Sequence, residues 1–261
     1  MKSAKRQRAD ELLVERGLAE SRTKARALIL AGKVHTPSAR IEKAGMLLDR
    51  DAVLTVARPP RFVGRGGDKL EGFLEASQLS VEGLPFLDVG ASTGGFTDAL
   101  LQRGAGPATC VDVGRNQLHQ KLRSDPRVTS LEKINARNLE AGLLPRTSYP
   151  LIVMDLSFIS LRLVVHPVWK LLETEGCLVA LVKPQFEATR EEASAGKGVI
   201  RDKAIRERIL QEVTDFALSE LESCEVYHVM ECTVAGTDGN REYFLGLRKR
   251  PRTRIHPMAS R

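Results

Sequence analysis

Histidine, cysteine and tryptophan are scarce in this chain of 261 residues, which holds five, four and one of them. Cys110, Cys177, Cys224 and Cys232 include no C-x-x-C pair, which argues against a zinc ribbon. His35, His119, His166, His228 and His256 fall in no metal-ligand spacing, so no metal is expected. The start, Met1-Lys2-Ser3-Ala4-Lys5-Arg6, leads into more charge rather than an apolar signal segment. With few cysteines, that points to a reduced, cytoplasmic setting. No apolar run reaches the roughly 18 residues of a membrane span. The most apolar region, Leu151 to Val182, is broken by Asp155, Arg162, Lys170, Glu173 and Glu175. Neither a serine–histidine–aspartate order nor a nucleophile elbow is present, and no repeat period is visible.

What remains is an ordinary globular composition, 42% hydrophobic and 28% charged, at a length suited to one or two domains. The formal net charge of +7 is unevenly spread. Residues 1–62 carry +7, residues 63–247 carry −6 and residues 248–261 carry +6. Two basic ends around a mildly acidic body suggest a polyanion-binding module attached to a second function.

Between Arg8 and Ala31 the pattern predicts two short helices, the second capped by Ser21, striped by Ala25, Leu28 and Ile29, and ended at Gly32. Strand-like pieces follow at Lys33–His35 and Ala52–Ala57. Pro59-Pro60 is a stiff break and the expected linker. A helix is expected from Asp68 to about Ser77. Beyond it, strands are expected at Phe86–Val89, Ala108–Asp112, Val128–Glu132, Leu151–Met154 and Cys177–Val182. Helices fall near Gly95–Gln102, Gln117–Arg123, Leu161–Leu172 and Asp202–Leu221. A hairpin of Glu225–Val234 and Arg241–Leu247 closes the series. Alternating strands and helices predict a parallel, doubly wound α/β sheet into which the hairpin inserts one antiparallel strand.

The sharpest motif is Leu87-Asp88-Val89-Gly90-Ala91-Ser92-Thr93-Gly94-Gly95-Phe96-Thr97-Asp98: a buried strand, a glycine-rich turn and a helix start. Its glycines follow G-x-x-x-G-G rather than the dinucleotide pattern. Asp112, at the end of the next strand, is placed to bind ribose hydroxyls. Together they favour a nucleoside cofactor without a pyrophosphate, S-adenosylmethionine.

Asp155 and Lys183 each close an apolar strand, and Glu242 opens the last one. Ligands of an open α/β sheet bind at the carboxyl ends of its parallel strands. Asp155 and Lys183 should therefore face the crevice of Gly90, and Glu242 joins them because its strand runs the other way. Lys69 can add a second cation. Read singly, each is an ordinary strand-end charge; their convergence on one edge is the signal. A lysine beside carboxylates can orient and deprotonate a hydroxyl if desolvation lowers its pKa. In the basic N-terminal module, Arg22 and Arg26 share one helix face, a natural phosphate contact. The segment from Glu187 to Arg201 reads as a mobile loop.

These residues resemble two known families in one chain. The run from Arg8 to about Val56, R-x-D-x-L-L-x-x-x-G-L-A-x-S-R followed by A-x-x-L-I-x-x-G-K-V, is similar to the small RNA-binding fold of ribosomal protein S-four. From Arg65 onward the chain resembles FtsJ-type methyltransferases. The carrying strings are Arg65-Gly66-Gly67-x-Lys69-Leu70, the glycine loop, Asp112-Val113-Gly114, Asp155-Leu156-Ser157-Phe158, Val182-Lys183-Pro184-Gln185-Phe186-Glu187 and Glu242-Tyr243-Phe244. The combination is similar to the TlyA family of ribosomal RNA 2′-O-methyltransferases, also called haemolysins.

The resemblance implies a Rossmann-like, seven-stranded methyltransferase fold with one antiparallel strand, behind a small α+β RNA-binding domain. The implied domains are 1–58 for RNA binding, 59–64 as linker, 65–248 for methyl transfer and 249–261 as a basic tail. It implies a catalytic tetrad of Lys69, Asp155, Lys183 and Glu242. It implies a cofactor site of Gly90, Ala91, Ser92, Gly94, Gly95, Phe96, Asp112, Val113, Asn135, Ala136 and Asp155. RNA contact falls to Arg6, Arg8, Ser21, Arg22, Lys24, Arg26, Lys33 and Arg65. The implied substrate is a cytidine of ribosomal RNA or a ribosomal subunit. Asp68, Arg115-Asn116 and Gly196-Lys197-Gly198-Val199 depart from the family pattern and bear on target choice. Three other readings stay open at this point: an assembly protein without catalysis, a haemolysin-like membrane-active protein and a small-molecule methyltransferase.

Overall fold

The computed structural model describes residues 6–57 and 60–251. The chain divides into two compact units, Met1–Pro60 and Arg61–Arg261.

The first unit comprises β1 (Arg6–Arg8), α1 (Ala9–Glu15), α2 (Arg22–Leu30), β2 (Val34–His35), β3 (Leu47–Asp49) and β4 (Thr55–Val56). β1 pairs with β3 and β2 with β4, both antiparallel. Ser21 caps α2 by accepting a 3.2 Å hydrogen bond from the Lys24 amide, as its position before the apolar stripe predicts. Leu12, Leu13, Ala25, Ile29, Val34 and Ile41 form the core. β1 and β3, three residues each, have no counterpart in the sequence reading, because pieces that short carry no period.

The second unit contains α3 (Arg65–Ser77), β5 (Phe86–Val89), α4 (Gly95–Gln102), β6 (Ala108–Asp112), α5 (Gln120–Arg123), β7 (Val128–Glu132) and β8 (Tyr149–Met154). It continues with α6 (Val165–Lys170), β9 (Leu172–Val182), α7 (Pro184–Glu187), α8 (Arg190–Ala195), α9 (Lys203–Glu220), β10 (Cys224–Glu231) and β11 (Tyr243–Lys249). Seven strands form one sheet in the order β10-β11-β9-β8-β5-β6-β7. Pairing from β9 through β7 is parallel, and β11 runs antiparallel to both β9 and β10.

Successive residues of a strand point to opposite faces, and both faces are covered. Phe86, Cys110, Val153, Val179 and Phe244 pack with Leu70 and Phe73 of α3 and Leu100 of α4. Leu87, Val111, Ile152, Leu178 and Leu245 pack on the other face with Trp169 of α6 and Val213 of α9. That double burial is why these strands read as unbroken apolar runs.

The differences from the sequence reading have local causes. The expected helix Leu161–Leu172 is a 3₁₀ turn, Leu161–Leu163, followed by α6. Pro167, lacking an N–H, is tolerated only in a first turn, so α6 begins at Val165. Leu172 instead starts β9, opposite Tyr149. α3 begins three residues early despite two glycines, one of which, Gly67, is required because a side chain there would stand 2.3 Å from Phe62 Cγ. Residues 61–64, expected as linker, pack into the second unit. The Val63 amide donates to Asp98 at 2.8 Å, and Gln102 donates to the Arg61 carbonyl at 3.0 Å. Glu187–Arg201 is not a loop throughout. It ends α7 and holds α8, which Thr189 and Glu192 open with a reciprocal capping box. Glu242 stands immediately before β11 rather than within it. Lys249, counted with the tail, completes β11. Pro59 of the linker and residues 252–261 of the tail lie outside the described residues.

All four cysteines are free thiols. Among the described residues no helix is long and apolar enough to cross a membrane, and no cluster of His, Cys, Asp and Glu gathers to hold a metal ion.

Candidate active site

The carboxyl ends of β5, β6, β8 and β9 open into a cleft of two cavities. The first, about 260 Å³, includes Lys69, Asp88, Thr93, Phe96, Lys183 and Glu242. The second, about 440 Å³, includes Asp112, Val113, Asn135, Ala136, Leu156 and Phe158. Gly90, Ser92, Asp155 and Ser157 line both, so the two are continuous.

The glycine loop forms the floor. Gly90 has φ +85°, and a Cβ there would lie 2.6 Å from the Asp155 carbonyl oxygen. The ends of β5 and β8 can meet only over a glycine. The Asp112 carboxylate holds the loop open, taking the Ser92 amide at 2.8 Å and the Gly114 amide at 2.7 Å. Each oxygen keeps a lone pair for a further donor. Gly94 does not line the cleft but packs behind it against Leu118 and Leu122. Phe96 is mostly core, with its ring centroid 5.9 Å from that of Phe244. Asn135 and Ala136 border the second cavity, where Asn135 Oδ1 already accepts from the Arg137 amide at 3.0 Å.

Four charged side chains converge on the first cavity as two ion pairs. Lys69 Nζ, from α3, reaches Glu242 Oε2 at 2.5 Å. Lys183 Nζ reaches Asp155 Oδ1 at 2.6 Å. That second contact is electrostatic rather than a well-aligned hydrogen bond, because Asp155 Oδ1 has no hydrogen-bond partner. Lys183 instead donates to Ser157 Oγ at 3.0 Å. Topology explains the convergence: Lys183 follows β9, and the Tyr243–Val182 pairing brings the antiparallel β11 back to the same end. Lys69, Lys183 and Glu242 are buried, and Asp155 is three-quarters so.

Sequence reasoning missed several members. Ser157 lay inside a quoted string without a role. Gln185 donates to Glu242 Oε1 at 3.4 Å, and Glu187 ties Ser160 and Leu161 to α7. Phe158 is 91% exposed at φ +62° beside the second cavity. An exposed aromatic in left-handed backbone is costly and tends to mark function.

Asp88 was quoted in the motif but not as a site residue. Its carboxylate is wholly buried, and burial pushes its pKa up to about 7, with Asp155 and Asp112 adding to the rise against the Thr97 hydrogen bonds. Oδ2 takes the Thr97 hydroxyl at 2.6 Å and amide at 3.1 Å, but Oδ1 has no partner. A buried, unpartnered carboxylate oxygen on a cavity wall calls for a cation or donor from a ligand. The α-ammonium of S-adenosylmethionine meets that need, so the residues present fit this cofactor.

The first unit carries its own charged face. Asp10 is fully buried and gathers three guanidinium groups: Arg8 Nε at 3.0 Å, Arg26 Nε at 3.1 Å and Arg22 at 3.4 Å. Hydrogen bonding from Arg8, followed by the Arg26 bond and the nearby Arg22 charge, holds its carboxyl far below the usual range against the opposing effect of burial. All three arginines remain partly exposed. Arg6 pairs with Asp49 at 3.5 Å, Lys24 is exposed and Lys33 half-buried. The Ser21 hydroxyl serves as the helix cap, and Arg65 lies in the second unit, on the first cavity.

A glycine loop at a strand end, an acid on the neighbouring strand and a sheet with one reversed strand define a nucleoside-binding α/β enzyme of methyltransferase type. The chain belongs to the FtsJ-like methyltransferase family, whose model matches residues 62–249. It is 43% identical over 250 residues to the 16S/23S rRNA (cytidine-2′-O)-methyltransferase TlyA of Mycobacterium tuberculosis, covering 94% of this chain and 91% of that protein. It is 40% identical to Hemolysin A of Brachyspira hyodysenteriae, covering 90% and 97%. A solved structure from Streptococcus thermophilus, provisionally named a hemolysin, is 40% identical, covers 95% of this chain and 90% of that one, and superposes with a TM-score of 0.71.

Proposed function

We propose that the second unit transfers the methyl group of S-adenosylmethionine to a ribose 2′-hydroxyl in ribosomal RNA, and that the first unit is an S-four-type RNA-binding domain. The setting is cytoplasmic, and the target base is a cytidine, in keeping with the name of the TlyA relative. The observation that carries the reading is the pair of lysine–carboxylate contacts at the mouth of a glycine-loop cleft.

Bound in the cleft, S-adenosylmethionine supplies an electrophilic methyl group on a sulfonium centre. Asp88 Oδ1 takes its ammonium, Asp112 its ribose hydroxyls, and Asn135 and Ala136 border the base. Lys183 Nζ orients the 2′-hydroxyl and, acting as the neutral amine after releasing its own proton to solvent, takes the hydroxyl proton as the oxygen bonds to the methyl carbon and the sulfur–methyl bond breaks to leave a neutral thioether. Asp155 and Ser157 hold Lys183; Glu242 and Gln185 hold Lys69. Alignment supplies much of the rate, because the methyl donor is already activated. Phe158 offers an exposed ring on which an unstacked base can rest. Arg8, Arg22 and Arg26 present guanidinium groups to phosphates, with Arg6, Lys24 and Lys33 adding charge.

Labelled S-adenosylmethionine incubated with separated ribosomal subunits, followed by mapping of 2′-O-methyl groups, tests this. Wild-type protein labels one or both subunits at cytidine riboses, and Lys183→Ala does not. Equal labelling by the variant would overturn the assignment.

A further inference from the structure

The loop from Leu156 to Ser160 lines the cleft with Leu156, Ser157, Phe158 and Ile159, yet its conformation is unfavourable by itself. Phe158 sits at φ +62°, disfavoured for a bulky side chain, and its ring is exposed. Such a conformation persists only where its surroundings over-determine it. At the near end, Lys183 binds Asp155 and Ser157. At the far end one residue makes the attachment. Glu187 Oε2 accepts from Ser160 Oγ at 2.6 Å, and Oε1 accepts from the Leu161 amide at 2.6 Å. The Glu187 side chain is 2% exposed, and Arg162 Nε stands 3.8 Å away.

Glu187 closes α7, the single turn that begins directly after Lys183. The same turn sends Gln185 to Glu242, and its Phe186 ring lies 5.1 Å from that of Phe158. A four-residue turn thus reaches Glu242 of one ion pair, sets the Phe186 ring beside Lys183 of the other, and contacts the middle and far end of the loop. Its sequence, Pro184-Gln185-Phe186-Glu187, offers no apolar reason to bury a carboxylate. Burying one is costly unless its hydrogen bonds are made, and here they are made only to the loop.

The geometry points to Glu187 as a positioning residue: its carboxylate pins the far end of the 156–160 loop, and so fixes Ser157 against Lys183 and Phe158 beside the cleft. It touches neither cofactor nor ribose. This rests on the reading of Lys183 as the residue that handles the 2′-hydroxyl.

Glu187→Gln is nearly isosteric but places an amide donor against one of two donors. In full-length protein, with purified ribosomal subunits as substrate, kcat falls about 10- to 100-fold, the cost of a misplaced reacting group. Affinity for S-adenosylmethionine falls by clearly less than kcat, since Asp88, Asp112, Asn135 and Ala136 lie off the loop while Leu156 and Phe158 only line the second cavity. Backbone amide exchange rises across residues 157–161 and stays unchanged in β5 and β8. Ser160→Ala leaves α7 intact and removes one donor to Glu187 together with the cap on the Arg162 amide, so it is judged on kcat and on exchange at 157–159, which move in the same direction by less. If Glu187→Gln does not fold, Ser160→Ala decides.

Unchanged exchange across 157–161 overturns the proposal, as does raised exchange with full kcat. A kcat loss matched by equal loss of cofactor affinity and exchange raised across the whole unit also overturns it, because that is general destabilisation. Lys183→Ala run in parallel separates the two readings. Full turnover in that variant sinks the catalytic assignment, whereas the exchange data still judge Glu187.

Discussion

Lys69 Nζ and Glu242 Oε2 meet at 2.5 Å across 173 residues of sequence, in the wall of the first cavity. Both side chains are at least nine-tenths buried. Removing one partner of such a pair strands a buried charge, which costs about 3–5 kcal/mol, whereas replacing both is far milder. Lys69→Met alone should therefore lower stability by about that amount. The double variant Lys69→Met with Glu242→Gln should regain more than half of it and remain inactive. Denaturant melts of the two singles and the double measure this; additive losses would show that the pair is not coupled.

Lys183→Ala should cost cofactor affinity far less than turnover, because only Asp155 of the cofactor residues touches Lys183, whereas Asp88 and Asp112 lie elsewhere around the cleft. Turnover should fall by roughly 10²- to 10⁴-fold, the range for loss of a positioned proton acceptor. Calorimetry with S-adenosylmethionine and methyl transfer to ribosomal subunits separate the two effects. A large affinity loss with little effect on turnover would move Lys183 from chemistry to cofactor binding.

Much of this site was legible because glycines and charges interrupt apolar runs. Phe86–Val89, Ala108–Asp112 and Val128–Glu132 match the observed strands end to end: the first two are short runs buried on both faces, and the third is a partly exposed edge strand bounded by Pro126-Arg127 and Lys133. The partner of each lysine was not legible. Lys69 with Glu242 and Lys183 with Asp155 depend on strand order, and no local pattern reports that. α8 was missed although Thr189-Arg190-Glu191-Glu192 spells a capping box, because the polar segment has no apolar stripe. Asp10 read as one charge among many; only the fold shows it buried under three arginines.

That buried aspartate shapes the next expectation. Arg26 contacts Asp10 through Nε, which leaves its two terminal nitrogens to meet a phosphate. Arg26→Ala should weaken RNA binding at every sequence and lower the slope of log K against log salt by about one. Its melting temperature should change little, because Arg8 and Arg22 still neutralise Asp10 and the Arg26 side chain is more than half exposed. Binding measured over a series of salt concentrations tests this. An unchanged slope would mean that Arg26 serves only to hold Asp10.

Asp88 makes cofactor binding pH-dependent with a definite sign. In the ligand-free fold burial raises its pKa to about 7, so below that pH the carboxyl is protonated and offers an incoming ammonium no charge. Affinity for S-adenosylmethionine should therefore rise as pH increases from about 6 to about 7.5, approaching tenfold per unit on the acid side. Stability of the ligand-free protein moves the other way. The fold binds a proton that the unfolded chain releases above about pH 4, so the destabilisation from Asp88 grows as pH rises toward 7 and is full above it. Asp88→Asn keeps an acceptor for Thr97 and puts an amide donor where Oδ1 lacked a partner, near Asp155 and Asp112. That variant should melt at a higher temperature than wild type at pH 8, bind the cofactor more weakly and lose the pH dependence. Calorimetric titrations at the two pH values, with melts of both proteins, measure all three effects. Affinity that stays flat with pH in the wild type would remove Asp88 from the ammonium site.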